Sequence, residues 1–111
     1  MKNLEYSMKN LVKTIHSSNE YNQYHRLLEK IKQDEELYRS MCEYRKRAFC
    51  IQMEDHEDSM EKMASLRNEF AATINNNAVA EFLIAELRLN KMARQVNSGI
   101  LNSFDFDVDF L

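Results

Sequence analysis

The chain has 111 residues, no Pro, one Gly, 30% charged and 44% apolar residues, and a formal net charge of −3. This length suits one small domain, and the near-absence of Gly and Pro excludes most sheet turns. We therefore predict an all-α fold of four to five helices arranged as a long antiparallel hairpin or bundle. Three of the 18 acidic residues lie in the C-terminal tail, and the other 15 balance the 15 basic ones. Direct nucleic-acid binding is therefore not expected, because it needs a concentrated positive field.

The first three helices are predicted by periodicity and by capping residues. The first is an amphipathic helix whose apolar residues recur every three or four positions: Leu4, Met8, Leu11, Val12 and Ile15. Ser17 and Glu20 match a capping box, which predicts that a second helix begins there. Asp34 is the predicted N-cap of a third helix.

Two breaks divide the second half of the chain. The acidic run at 54–58 coincides with a change of apolar phase, so we predict a connector there, with one uninterrupted helix as the alternative. Asp58 would then cap a fourth helix from Ser59 to about Thr73. The triplet at 75–77 predicts a turn, with Asn77 capping a last helix that runs to about Gly99.

We predict a single helical domain at 1–103 and an extended acidic-aromatic tail at 104–111. The tail, FDFDVDFL, alternates apolar residues with aspartates, which is typical of a strand with one apolar face. As an appendage on a helical body, it is either a disordered terminus or a docking segment. In the second case Phe104, Phe106 and Phe110 enter an apolar groove of the same dimer or of a partner.

The apolar helix faces are wider than a loose helical hairpin can bury, which predicts a homodimer or a hetero-oligomer. The central helix, the last helix and the tail supply the predicted interface: Tyr44, Phe49, Met53, Phe82, Leu83, Leu87, Leu89, Met92, Phe104, Phe106 and Phe110. No apolar run approaches the roughly 20 residues of a membrane span, and residues 1–13 lack the apolar core of a secretory signal. We therefore expect a cytoplasmic protein.

The sequence offers little catalytic chemistry. It contains no Gly-rich phosphate loop and no nucleophile elbow, so we expect no enzyme and no catalytic residues. Glu86 falls on the apolar stripe of the last helix and is predicted to be a buried structural charge. Cys42 and Cys50 would lie about 12 Å apart along one helix, which prevents an intrahelical disulfide or a shared mononuclear metal site. Arg45, Lys46 and Arg47 fan around a helix and are interpreted as a solvated face.

Two segments resemble the two halves of the YlbF/YmcA/YheA family of small helical bacterial proteins. Residues 18–53 match a Ser/Glu-Tyr opening, a helix, an Asp-Glu pair and a longer Gln/Lys-rich helix. Residues 75–100 match the second half in these residues: Asn77, Val79, Phe82, Leu83, Ala85, Glu86 and Leu89. Ala78 stands where many relatives have Pro, and the tail matches no family motif.

The resemblance implies an all-helical, dimer-forming cytoplasmic regulator of low-GC Gram-positive bacteria, without catalytic residues. Relatives join complexes that influence competence, sporulation, biofilm formation and mRNA processing. We therefore interpret the chain as a non-enzymatic regulatory or scaffold protein that binds related regulatory proteins through its helices. One alternative is an iron–sulfur or redox-responsive subunit in which Cys42 and Cys50 of more than one chain share a cluster, since some relatives are linked to such clusters. The other is an RNA-processing adaptor.

Overall fold

A computed structural model describes residues 1–54 and 56–111 of the chain. These residues form six α-helices and no strand, which confirms the predicted all-α class: α1 (Lys2–His16), α2 (Asn19–Lys32), α3 (Glu35–Glu54), α4 (Ser59–Glu69), α5 (Ala71–Ile74) and α6 (Asn77–Asn102). The helix count exceeds the predicted four to five because the expected fourth helix is divided at Phe70 into α4 and the short α5.

Side-chain caps set the starts of α2 and α3. Ser17 is the C-cap of α1, and the Oγ of Ser18 accepts the backbone N–H of Tyr21 at 3.2 Å. The predicted capping box therefore began one residue too early, because Ser17 still completes the last turn of α1. At α3 the predicted cap is confirmed, since Asp34 Oδ1 accepts the backbone N–H of Leu37 at 3.2 Å.

The predicted connector between the third and fourth helices is confirmed. α3 ends at Glu54 and α4 begins at Ser59, while Asp55 lies outside the described residues. Asp58 occupies the N-cap position, but its carboxylate makes no capping hydrogen bond. It instead lies 3.7 Å from the Nζ of Lys62, one turn into α4.

The Asn triplet ends α5 and starts α6. Asn76, rather than the predicted Asn77, is the cap: its Oδ1 accepts the backbone N–H groups of Ala78 at 3.0 Å and Val79 at 3.3 Å. α6 then continues through Gly99. Gly99 does not adopt the positive φ of a helix-ending glycine, so nothing in its backbone stops the helix there.

The chain forms two compact units. Unit 1 comprises Met1–Tyr24 and Ile84–Leu111, and unit 2 comprises His25–Leu83. In unit 2, α3 packs against α4 and α5 around the fully buried side chains Leu27, Ile31, Met41, Leu66, Val79 and Phe82. In unit 1, Ala85 is the one buried apolar residue among those described. The hydrophobic core is thus concentrated in unit 2.

The tail lies outside the helices and is not a strand. A turn follows α6, Asp105 has a left-handed φ of 52°, and a hydrogen bond from Leu111 N–H to the carbonyl of Val108 closes a second turn at 3.0 Å. The rings of Phe104 and Phe106 stack with their centroids 5.5 Å apart. Every tail residue is exposed.

Candidate functional site

α1 presents an exposed apolar stripe. None of its residues is buried, and Leu4 and Met8 are 60% and 65% exposed. At 100° per residue, its three lysines fall together about 135° around the helix from the centre of this stripe, with Glu5 between them and the stripe: Lys2, Lys9 and Lys13. α1 therefore offers an exposed apolar stripe and a separate basic face.

The part of α6 within unit 1 also carries exposed apolar side chains. Leu87, a predicted interface residue, is 66% exposed, and Ile84 and Leu101 are exposed as well. Leu89 and Met92 are half-buried. Because unit 1 buries so little of its own apolar surface, its helices retain large faces that another chain can cover.

On α3, Phe49 and Met53 lie one turn apart and are 62% and 69% exposed. Tyr44 is half-buried, and its ring packs at a tilt on Phe70 with 5.8 Å between centroids. The ring of Tyr44 is thus partly covered by packing within unit 2, whereas the side chains of Phe49 and Met53 are accessible to a partner. Leu83, at the end of unit 2, is half-buried.

Phe82 does not belong to an interface. Its side chain is 0% exposed, and the guanidinium carbon of Arg45 lies 5.1 Å from its ring centroid. A side chain enclosed by its own unit cannot contact another chain, so the sequence prediction for Phe82 is corrected. It is a core residue of unit 2.

Glu86 is likewise not the buried charge that the sequence predicts. It is partly exposed, and no charged side chain in the described chain is buried. The buried face of α6 comprises Val79, Phe82 and Ala85, and burial ends there. Glu86 comes directly after Ala85 in the chain. It lies on the apolar face of α6 that the sequence predicts, but it is beyond the last buried residue of that face.

A cleft of about 510 Å³ lies between α3 and α4 in unit 2. Its acidic residues outnumber its basic ones, and the lining includes Arg47, Glu54, Asp58, Glu61, Lys62 and Glu69. Arg47 makes a bidentate ion pair with Glu69, one N–O distance being 3.0 Å, and Lys62 Nζ donates to Glu54 at 3.3 Å. These ion pairs therefore bridge α3 to α4, and the unequal numbers of acids and bases leave the cleft net acidic.

The ion pairs shift the protonation equilibria of their partners. The hydrogen bond from Arg47 lowers the pKa of Glu69, and the reciprocal hydrogen bond raises the pKa of Arg47. The hydrogen bond to Glu54 raises the pKa of Lys62. All three side chains keep 43–54% of their surface accessible to solvent, so the pairs orient α3 and α4 rather than create a reactive acid or base.

The cysteines do not form a complete metal site in one chain. Cys42 is half-buried and Cys50 is exposed at the edge of the cleft, and both are free thiols. Within residues 1–54 and 56–111, no three His, Cys, Asp or Glu side chains come together to hold a metal ion. An iron–sulfur cluster typically needs four thiolates, so one chain does not fit it.

Two members of the basic cluster on α3 have structural contacts. Arg45 lies over Phe82, and the guanidinium of Arg47 lies 5.5 Å from the ring centroid of Phe70 in addition to pairing with Glu69. Both are half-buried, so the cluster is not the fully solvated face that the sequence suggests. It also lacks the free, concentrated positive charge of a nucleic-acid surface.

Sequence reasoning missed α1 as part of the candidate surface. Its three-to-four spacing predicts an amphipathic helix, but not whether the apolar stripe is covered. One residue could have indicated that α1 is an exposed helix: Tyr6 is an aromatic residue outside the stripe. Its side chain is 69% exposed. No helix in the described part of the chain is long and apolar enough to cross a membrane.

These features define a small all-helical protein with exposed apolar helix faces and with ion pairs that join α3 to α4. Residues 4–104 match the family model described as "Control of competence regulator ComK, YlbF/YmcA", so the chain belongs to the YlbF/YmcA family. The resemblance drawn from the two sequence segments is thereby confirmed. The family is a regulatory one. No curated protein and no solved structure matches the chain.

Proposed function

We propose that this chain is a non-enzymatic regulatory adaptor of the YlbF/YmcA family that acts in the cytoplasm by binding other protein chains. Its partners are a second copy of itself or related regulatory proteins. The observation that carries this proposal is the distribution of burial: unit 2 has a core, whereas unit 1 exposes apolar side chains on α1, α6 and the tail. Association buries such surface and is favoured by about 25 cal/mol per Å² of apolar area.

The proposed contact surface combines apolar anchors with a charged rim. Leu87, Leu89 and Met92 on α6 provide anchors, and Phe49 and Met53 form a second exposed patch on α3. Anchors in the centre of an interface supply most of the binding free energy, while surrounding charges select the partner. Phe82 is not included, because it is enclosed in unit 2.

No metal and no nucleic acid enter this proposal. Two thiols per chain do not complete an iron–sulfur cluster, and Arg45 and Arg47 are engaged with aromatic rings. Anaerobically purified protein should therefore contain no iron. It should also bind RNA without the steep salt dependence of phosphate contacts.

The test uses a matched pair of neighbouring residues on α6, Leu87→Ser and Arg88→Ser. Both positions are exposed in a single chain, and both changes place the same residue in the same helix. Sedimentation equilibrium measures the mass of each purified protein alone. Affinity capture from the organism of origin then measures whether a partner co-purifies in a fixed ratio.

We expect the wild type to form a dimer or a stoichiometric complex. Leu87→Ser should weaken it about 10- to 100-fold, the effect of losing one buried leucine of about 1.5–3 kcal/mol. Arg88→Ser should have a much smaller effect. A wild-type chain that stays monomeric at all concentrations and captures nothing in a fixed ratio overturns the proposal.

A further inference from the structure

We propose that the C-terminal tail of one copy, residues 104–111, docks along α1 of a second copy. The tail's aromatic side chains lie on the apolar stripe of α1, and the negative charge of the tail lies close to the net positive charge of that helix. This inference rests on the proposed function, because it names two segments through which copies of the chain associate. Nothing in the family match assigns a role to the tail, since the matched region ends at residue 104.

Both surfaces are exposed to solvent in a single chain. The side chains of Phe104, Phe106 and Phe110 are 62%, 72% and 81% exposed. The stripe of α1 is exposed as well, with Leu4 and Met8 both more than half accessible. An exposed aromatic segment and an exposed aliphatic stripe within one small protein form two complementary apolar surfaces.

The spacing of side chains along the tail matches the spacing along α1. Alternate side chains of an extended segment point to one face and are about 6.6–6.8 Å apart. Residues four apart on a helix rise about 6.0 Å, which is the spacing along Leu4, Met8 and Val12. Successive tail side chains can therefore contact successive turns of α1. The lengths also agree, since eight extended residues span about 26 Å and the 15 residues of α1 about 22 Å.

Docking requires two changes in the tail: the turn closed by Leu111 N–H and the carbonyl of Val108 opens, and the backbone at Asp105 rotates. Asp105 has a φ of 52°, in the left-handed region that is unfavourable for residues with a Cβ. Rotation of this residue to the extended region removes that unfavourable conformation. It also separates the stacked rings of Phe104 and Phe106, whose centroids now lie 5.5 Å apart, so that each can contact a different turn of α1.

The two segments carry opposite net charges. The tail has three carboxylates: Asp105, Asp107 and Asp109. α1 has three lysines and a single acid, Glu5. The aspartates of the extended tail point away from the stripe, so the attraction acts between the net charges of the two segments and not through direct ion pairs. A second α1 would bring further lysines, whereas the tail brings the opposite charge. The cleft between α3 and α4 is net acidic and would repel the tail.

A symmetric dimer satisfies both surfaces of both copies. Each copy has one α1 and one tail, so a twofold axis makes the contact twice and leaves neither surface exposed. A buried phenylalanine removes roughly 150–250 Å² from water. Three such residues on each of two copies, with the helix faces they cover, reach the roughly 1,200–2,000 Å² of a standard interface.

The decisive experiment is an intermolecular cross-link between two different chains. Both chains carry Cys42→Ser and Cys50→Ser, which removes the native thiols. One adds Met8→Cys on the stripe and the other Phe106→Cys in the tail, and the mixture is oxidised. The control replaces Met8→Cys with Asn10→Cys, which lies about 160° away around α1.

We expect the Met8–Phe106 pair to form a cross-linked dimer at least about tenfold more efficiently than the Asn10–Phe106 pair. Equal yields for the two pairs, or a cross-link formed only between two Met8→Cys chains, overturn the proposal. In the second case, α1 pairs with α1.

A charge exchange provides an independent readout. One full-length variant has lysines at all three tail aspartate positions, and the other has glutamates at the α1 positions Lys2, Lys9 and Lys13. Each variant alone brings like charges together and should dimerise about tenfold more weakly or worse. Their mixture restores opposite charges at both contacts and should form a heterodimer. Circular dichroism checks that both variants remain helical.

The outcomes separate this inference from the proposed function. If removal of 104–111 leaves the dimer affinity unchanged and the mixed charge variants do not recover association, the tail contact is wrong. Retained association through other surfaces would still support the proposed function. If the wild type neither self-associates nor captures a partner in a fixed ratio, both proposals are wrong.

Discussion

Replacement of Phe82 by Ala tests the division between core and interface. The side chain is fully buried, and Phe→Ala in a core costs about 3–5 kcal/mol through lost burial and the resulting cavity. Arg45 loses the ring beneath its guanidinium as well, at a cost of about 0.5–1 kcal/mol. Since small proteins unfold at a cost of about 5–15 kcal/mol, the variant should be marginally stable and melt more than about 10 °C lower.

The assay is thermal and urea unfolding followed by circular dichroism, at one protein concentration because association also contributes to stability. The matched control is Phe49→Ala, which removes the same side chain from an exposed position. At a dilution where the chain is monomeric, it should change stability by less than about 1 kcal/mol. Suppose instead that Phe82→Ala leaves unfolding unchanged and weakens only assembly. Phe82 would then face a partner, and its placement in the core of unit 2 would be refuted.

Three further predictions concern local features of the helices. Asn76→Ala removes the cap of α6 and should lower the unfolding free energy by about 1 kcal/mol in urea titrations, whereas Asn75→Ala should have less effect. Gly99→Ala should raise helicity and stabilise the protein by up to about 1 kcal/mol in urea titrations. Gly99 lies within α6, and an added Cβ meets no atom within 4 Å. A destabilised variant would contradict this prediction. The hydrogen bond from Arg47 lowers the pKa of Glu69 in the folded state. The pair therefore adds to the free energy of unfolding above the usual pKa of that carboxyl, 4.5, and this addition is lost as pH falls through the lowered pKa. The small difference in urea midpoint between the wild type and Glu69→Gln should therefore vanish in acid, and a difference that persists there would exclude the ion pair as its cause.

Local chemistry was sufficient to predict where α2, α3, α4 and α6 begin to within one residue. It did not predict the division between α4 and α5, and α6 extends three residues beyond its predicted end at Gly99. Asp34 caps α3 as expected, and the Asn triplet separates α5 from α6. The two misplaced caps were each wrong by one position, at Ser17 and Asn77. In both cases the adjacent residue has the same side chain, and the end of the preceding helix decides which one is used.

The predicted site was less successful, because burial is not a local property. Phe49 and Phe82 are both aromatic residues on apolar helix faces, yet one is exposed and the other enclosed. Glu86 lies on the predicted face of α6, but the cover over that face ends at Ala85. Periodicity indicates which residues share a side of a helix, and it contains no information about what packs there.

The sequence by itself determined the class of this protein: the all-α fold, the family, the balanced charge of the body and the acidic-aromatic tail. Each depends on residue type and on spacing along the chain. Only the tertiary structure decided that the core lies in unit 2 and that the stripe of α1 remains exposed. The physical reason is that a helix forms from neighbouring residues, whereas burial of its apolar face requires side chains that are distant in sequence.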